Sequence, residues 1–300
     1  MDLKELRKPA KAQSMTNSLL ILDGAMGTEL TRRGLDTQLP LWSAKALFEA
    51  PEIVTQIHKD YVAAGATVLT ANTFRTNSRA LRKAHFESRA RELTFQAVAL
   101  ARQAAKSGSY VKVAGSLAPV EDCYQPDLVP SQNELLVEHN EMARNLADAG
   151  CDLILVETMN TIREAVAGCS AAMDTGLPFW ISFTLDQQNN LISGESLASA
   201  VQAVLPMSPQ AVLVNCIPVA QVAEALTKLK FGLGDTALRF GAYGNVGHVD
   251  DKVGWTLTNA VSSSMYAEAA QGWREIGASI IGGCCGTSPD HIAELARFFR

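Results

Sequence analysis

The chain has 300 residues, 47% of them apolar and 19% charged, with a formal net charge of −5. That composition is globular and supports a barrel-sized core. The mild acidity leaves no basic face for nucleic acid, and no apolar run reaches the ~20 residues that span a bilayer. Residues 1–18 are polar and lack the apolar centre of a secretory signal, so they read as an N-terminal lead-in to a cytoplasmic protein. Its six cysteines are then expected as free thiols or metal ligands, not as a disulfide scaffold.

The first apolar run, Leu19 to Asp23, reads as a buried strand that ends in the turn Gly24-Ala25-Met26-Gly27-Thr28. Pro40 and Trp42 fall in the loop that follows. A helix is predicted from Pro51, with Ile53, Ile57 and Tyr61 at four-residue spacing and Gly65 as its C-cap. Thr67 to Ala71 is the next strand, ending in Asn72-Thr73-Phe74. One long helical segment is expected over 78–105. Val111 to Gly115 is a third strand, ending in Ser116. A polar loop then carries Pro119, Cys123, Tyr124, Pro126 and Pro130.

Ser131 with Glu134, and Thr161 with Glu164, have the spacing of capping boxes that open two helices. The first of these helices stops at Gly150. Between them Asp152 to Val156 is strand four, ending in Glu157-Thr158. Strands five to eight are predicted at 179–185, 211–217, 240–243 and 279–283. Helices are expected at 219–230 and 259–276, and Ser288-Pro289-Asp290 reads as a further helix start. Strand and helix alternate eight times without a linker, which calls for parallel strands with helices outside. The predicted fold is α/β: a single-domain (β/α)8 TIM barrel over residues 19–300. A doubly wound sheet would show a glycine fingerprint after its first strand, and Asp23-Gly24-Ala25-Met26-Gly27 lacks that spacing.

In such a barrel the C-terminal strand ends share one face, where active sites form. That rim would carry Asp23, Asn72, Ser116, Glu157, Ser182 or Thr184, Cys216, Asn245, Cys284 and Cys285. Polar residues at strand ends can simply cap loops; two acids and three thiols together point to chemistry. Three thiolates with one open coordination position match a catalytic zinc site. By spacing alone, buried inert thiols explain them equally well. Cys151 and Cys169 read as inert core thiols and Cys123 as a surface thiol. His58 and His85 read as helix residues. His248 and His291 lie off the strand tips, so no histidine completes a ligand set or serves as a base for a cysteine nucleophile.

Asp23-Gly24-Ala25-Met26-Gly27-Thr28-Glu29, Asn215-Cys216 and Gly282-Gly283-Cys284-Cys285-Gly286-Thr287 together resemble the homocysteine S-methyltransferase family. That family includes S-methylmethionine- and betaine-dependent enzymes and the homocysteine module of cobalamin-dependent methionine synthase. The similarity runs from Leu19 to the end, through Leu41 to Lys45, Ala71 to Phe74, Gly115-Ser116, Glu157-Thr158 and Ser182-Phe183. It implies a zinc-dependent barrel that converts homocysteine to methionine, with Cys216, Cys284 and Cys285 as ligands. Asp23 and Glu157 would hold the substrate ammonium, and the backbone amides of Gly24 and Ala25 its carboxylate. Asn72 and Ser116 fall on shared segments and join the substrate-binding set.

A free thiol with a pKa of ~8.5 is mostly protonated at neutral pH, whereas a coordinating thiol is deprotonated and nucleophilic. The partners implied are small molecules: homocysteine and a methyl donor. At this length there is no room for folate- and cobalamin-binding domains. The segment Leu41 to Lys45 is most like the S-methylmethionine-using branch, with S-adenosylmethionine as a poorer donor. Tyr243-Gly244-Asn245 stands where many relatives on that branch have Tyr-Pro-Asn, and the loop after Ser116 is short. Betaine or a methyl-corrinoid or folate partner are the alternative donors, and a non-catalytic zinc-binding barrel the alternative role. Trp42, Phe74 and Tyr124 are the aromatic candidates for contact with a cationic donor.

Overall fold

The computed structural model describes residues 18–250, 254–256 and 261–299. The lead-in up to residue 17 and the expected helix start at Asn259 lie outside the described residues.

Eight parallel strands form the barrel wall: β1 (Leu20–Ile21), β2 (Val68–Thr70), β3 (Lys112–Leu117), β4 (Leu153–Met159), β5 (Phe179–Phe183), β6 (Ala211–Pro218), β7 (Arg239–Asn245) and, after a small hairpin, β10 (Ile280–Gly283). The hairpin pairs β8 (His248–Asp250) with β9 (Gly254–Thr256). Neighbours run β1-β10-β7-β6-β5-β4-β3-β2. The ring closes where Leu22 bridges Val68, with the Asp23 amide donating to the Val68 carbonyl at 3.0 Å.

The helices that flank the wall are α1 (Met26–Arg32), α2 (Ala46–Glu49), α3 (Pro51–Ala64), α4 (Ser78–Arg82), α5 (Ala90–Ala105), α6 (Gln132–Asp148), α7 (Ile162–Asp174), α8 (Leu197–Val204), α9 (Val219–Leu233), α10 (Ser263–Ile276) and α11 (Pro289–Phe299). In α3 the buried residues Val54, Ile57, His58 and Tyr61 fall on one face at three- and four-residue steps. Gly65 caps it at φ 104°, in the left-handed region that glycine enters without a Cβ penalty.

Two of the expected helical features differ in the structure. The segment 78–105 is not one helix: α4 and α5 are separate, and His85 sits between them at φ 62°, a conformation a continuing helix excludes. The second capping box is only half formed. Thr161 accepts the Glu164 amide at 3.2 Å, but the Glu164 carboxylate turns inward to the Val120 amide at 2.9 Å and His139 at 3.3 Å. The first box holds, with Glu134 accepting from the Ser131 amide at 3.1 Å and hydroxyl at 2.6 Å.

The two-residue period of the strands sorts the side chains. Leu153 and Leu155 of β4, Ala211 and Leu213 of β6, and Ala114 of β3 join Leu22, Val68, Trp180, Tyr243 and Ile280 in the barrel interior. Ile154, Val156, Val212, Val214 and Val113 face the helices in the main core. Continuing the inward series upward reaches Ser116, Glu157, Ser182, Asn215 and Cys284, so the apolar plug of the barrel hands over to a polar rim at its C-terminal end.

Candidate active site

The rim encloses a cavity of about 1090 Å³, lined by Asp23, Asn72, Ser116, Glu157 and all three rim cysteines among others. That volume lies at the upper end for small-molecule sites and leaves space for two amino-acid-sized ligands side by side. The Sγ atoms of Cys216, Cys284 and Cys285 all lie within 4.8 Å of one another. Cys216 Sγ is 2.7 Å from Cys284 Sγ, and Cys284 Sγ is 4.0 Å from Cys285 Sγ. Hydrogen bonding within the thiol cluster, first to Cys216 and then to Cys285, holds the Cys284 pKa well below the usual thiol value, while the contact with Cys284 pushes Cys216 up. Three convergent soft sulfurs with one already inclined to ionise fit a thiophilic ion such as zinc.

Strand alternation alone does not make this cluster. Cys216 has the same parity as Val212 and Val214 and would face the helices. Instead it takes φ 54°, and the register of β6 against β7 slips between Asn215 and Pro218. Thr158 does the same on β4, at φ 62°, with a slip between Val156 and Met159. Such bulges re-aim side chains at barrel rims and hold about 1–3 kcal/mol of strain each.

Asn215 ties the two bulges together. Its Oδ1 accepts from the Thr158 amide at 3.2 Å and the Ser182 hydroxyl at 2.6 Å, and its Nδ2 donates to the Thr158 hydroxyl at 2.8 Å. Cys285 reaches the cluster because the chain turns sharply at Gly286, φ 82°. A Cβ at Gly286 would collide with the Val246 carbonyl.

Asp23 and Glu157 are both buried and have no ion-pair partner among the described residues. Burial lifts Asp23 to about 8 although the Thr70 amide, at 2.8 Å, opposes the shift; Glu157 adds to it through like charge. Burial lifts Glu157 to about 7, opposed by hydroxyls donated from Ser116 and, at 3.0 Å, from Tyr243. Two adjacent carboxyls that resist ionisation favour a ligand that brings its own positive charge.

The structure adds detail to the other predicted residues. Ala25 donates its amide to Thr287 Oγ1 at 3.2 Å, whereas the Gly24 amide has no partner among the described residues. Asn72 donates to the Ser43 carbonyl at 2.9 Å and so braces the turn that carries Trp42. Ser116 lines the cavity and donates its hydroxyl to Glu157. Trp42 and Phe74 meet edge to face at 5.5 Å, and with Tyr124 they line the cavity.

Cys123, expected at the surface, is buried and lines the same cavity, and its thiol is pushed up to about 12 by burial. The loop that carries it folds back over the rim, which its polar sequence did not suggest. His291 is committed to Ser288 at 2.9 Å and the Val261 carbonyl at 3.3 Å. The sequence reading missed Tyr243 and Thr287 as supports. Inward parity on β7 was the available signal for Tyr243; none pointed to Thr287 beyond its place in the glycine turn.

Residues 20–299 match the homocysteine S-methyltransferase family. Homocysteine S-methyltransferase of Escherichia coli is 34% identical over 307 residues, covering 96% of this chain and 97% of that protein. Homocysteine S-methyltransferase YbgG of Bacillus subtilis is 31% identical, over 95% and 96% of the two chains. Selenocysteine methyltransferase of Astragalus bisulcatus is 29% identical, over 91% and 90%. The crystal structure of the Escherichia coli homocysteine methyltransferase MmuM in its metallated form superposes with a TM-score of 0.80 at 30% identity, over 93% of this chain and 96% of that one.

Proposed function

The chain belongs to the homocysteine S-methyltransferase family, and from that premise we propose that it transfers a methyl group from a sulfonium donor, foremost S-methylmethionine, to the thiolate of L-homocysteine, with zinc held by Cys216, Cys284 and Cys285. The observation that carries the proposal is the convergence on one cavity of three thiols within 4.8 Å and two buried carboxyls that have no ion-pair partner among the described residues. The metallated form of the MmuM relative supports a metal in this class of protein.

Zinc bound to three thiolates supplies a site where an incoming thiol is held deprotonated and nucleophilic. The chain's own residues do the rest. Asp23 and Glu157 take the substrate ammonium between them and ionise as it arrives, with Thr70, Ser116 and Tyr243 fixing their oxygens. The Gly24 amide, without a partner among the described residues, receives the substrate carboxylate. Cys123 stays neutral beside the cluster, so burial keeps it out of competition for the methyl group. Trp42, Phe74 and Tyr124 present ring faces and edges to a cationic donor. A sulfonium activates its own methyl group, so no general acid is required, and the remaining demand is in-line placement.

The test is metal analysis of purified protein followed by turnover assays with homocysteine and each donor separately. Stoichiometric zinc and methionine formation from S-methylmethionine is the expected result. Turnover only with betaine, or only with a methyl-corrinoid protein, replaces the donor assignment. Absence of zinc with full turnover removes the metal assignment.

A further inference from the structure

Arg75 follows Phe74 in the loop after β2, lines the cavity, and is only 7% exposed. Its Nε has no hydrogen-bond partner among the described residues, and its only acceptor there is the Glu121 carbonyl, 3.3 Å from Nη1. No carboxylate among the described residues lies within ion-pair distance of it. The acids nearby in sequence are committed elsewhere. The Glu121 carboxylate goes to Lys83 and to Arg79 at 3.5 Å. The Asp122 carboxylate accepts from the Tyr124 amide at 2.9 Å and Gln125 Nε2 at 3.0 Å. A buried guanidinium without a counter-ion is costly unless a ligand supplies the anion. The fork of donors in an arginine is matched to a carboxylate.

The location narrows which ligand. Arg75 lies over the Phe74 ring at 5.7 Å, and Phe74 meets Trp42 edge to face at 5.5 Å. These are the aromatics offered to the cationic donor in the proposed function, whereas the homocysteine end is built around Asp23, Glu157 and the cysteines. A donor whose methyl centre is positive meets repulsion from a bare guanidinium, unless it carries an anion of its own.

We propose that Arg75 is the donor-specificity residue: its guanidinium receives a carboxylate on the methyl donor, so the enzyme selects onium compounds that carry a carboxylate over those that do not. The inference rests on the methyl-transfer reading above and adds a recognition group to it. S-Methylmethionine and betaine both have the required group; trimethylsulfonium has the reactive centre without it.

The experiment compares wild type, Arg75→Met and Arg75→Lys, each loaded with zinc and checked for thermal unfolding and zinc content. KM is measured separately for homocysteine and for S-methylmethionine, betaine and trimethylsulfonium. Loss of a charge-assisted hydrogen bond predicts that Arg75→Met raises KM for the productive carboxylate donor roughly 10- to 100-fold. KM for homocysteine stays within about 2-fold, because homocysteine does not use the guanidinium, whereas kcat/KM for trimethylsulfonium does not fall and rises as the charge that repels it is removed. Arg75→Lys recovers part of the loss, since it keeps the charge but not the fork. Whichever of S-methylmethionine and betaine turns over in wild type identifies the source of the carboxylate. An unchanged donor KM in a folded, zinc-loaded Arg75→Met overturns the inference while leaving methyl transfer intact, and so does a rise confined to the homocysteine KM. Wild-type protein inactive with every carboxylate donor overturns both.

Discussion

Replacing Asn215 by Leu removes the brace between the two bulged strands without a large change in volume. Three hydrogen bonds are lost, at 2.6, 2.8 and 3.2 Å, all in fully buried surroundings. At a net of about 1 kcal/mol each, and with the Thr158 amide left unpaired at a further 1–3 kcal/mol, the expected destabilisation is about 3–5 kcal/mol after some return from the apolar side chain. The strain at Thr158 and Cys216 (φ 62° and 54°) then has less to oppose it, and Cys216 drifts toward the orientation its strand parity prefers. Removing a group that orients a ligand typically costs 10–100-fold in metal affinity.

The assays are urea unfolding of the metal-free protein and zinc competition against a chromophoric chelator. Ser182→Ala, which deletes one of the three bonds, should cost only about 1 kcal/mol. An Asn215→Leu protein with a wild-type unfolding midpoint and wild-type zinc affinity would refute the reasoning, because the bulges would then be held by their own chain segments alone.

Cys284→Ala should lose zinc and turnover together while remaining folded, as read by metal analysis and circular dichroism; full zinc occupancy in that variant contradicts the ligand assignment. Gly286→Ala places a Cβ against the Val246 carbonyl at φ 82°, and overpacking with left-handed strain predicts a loss of about 2–4 kcal/mol and of zinc retention. The pH dependence follows from Asp23, raised from 3.8 to about 8, and Glu157, raised from 4.5 to about 7. Between those values the folded state holds more protons than the unfolded one, so these groups make the ligand-free protein less stable as pH rises. Asp23→Asn should therefore gain stability relative to wild type progressively between pH ~4 and ~8. Parallel pH profiles of the two unfolding midpoints would show that Asp23 is already ionised.

The barrel was legible because it rests on local rules. Apolar runs ended by glycine turns, separated by amphipathic helices, leave a chain few ways to bury both faces of a parallel sheet. Ser116, Glu157 and Cys284 were legible for the same reason: the two-residue period carries an inward series up to each of them. The break around His85 was not legible, because helix propensity holds on both sides of it, while the chain leaves the helix over residues 83–89 with His85 left-handed and a 3-10 turn at Glu87–Arg89. Cys123 was misplaced because a polar loop gives no periodicity to show that it packs back over the rim.

Local pattern along the chain is enough for the order of strands, the face on which the polar residues collect, and the chemical character of that face: three sulfurs and two acids. That Cys216 joins Cys284 comes from contacts between distant strands, since parity sends it the other way and a left-handed bulge, tied across strands through Asn215, reverses it. The same holds for Arg75. Whether a guanidinium is neutralised depends on which carboxylates arrive beside it from distant segments, and charge pairing across a fold leaves no local pattern in the chain.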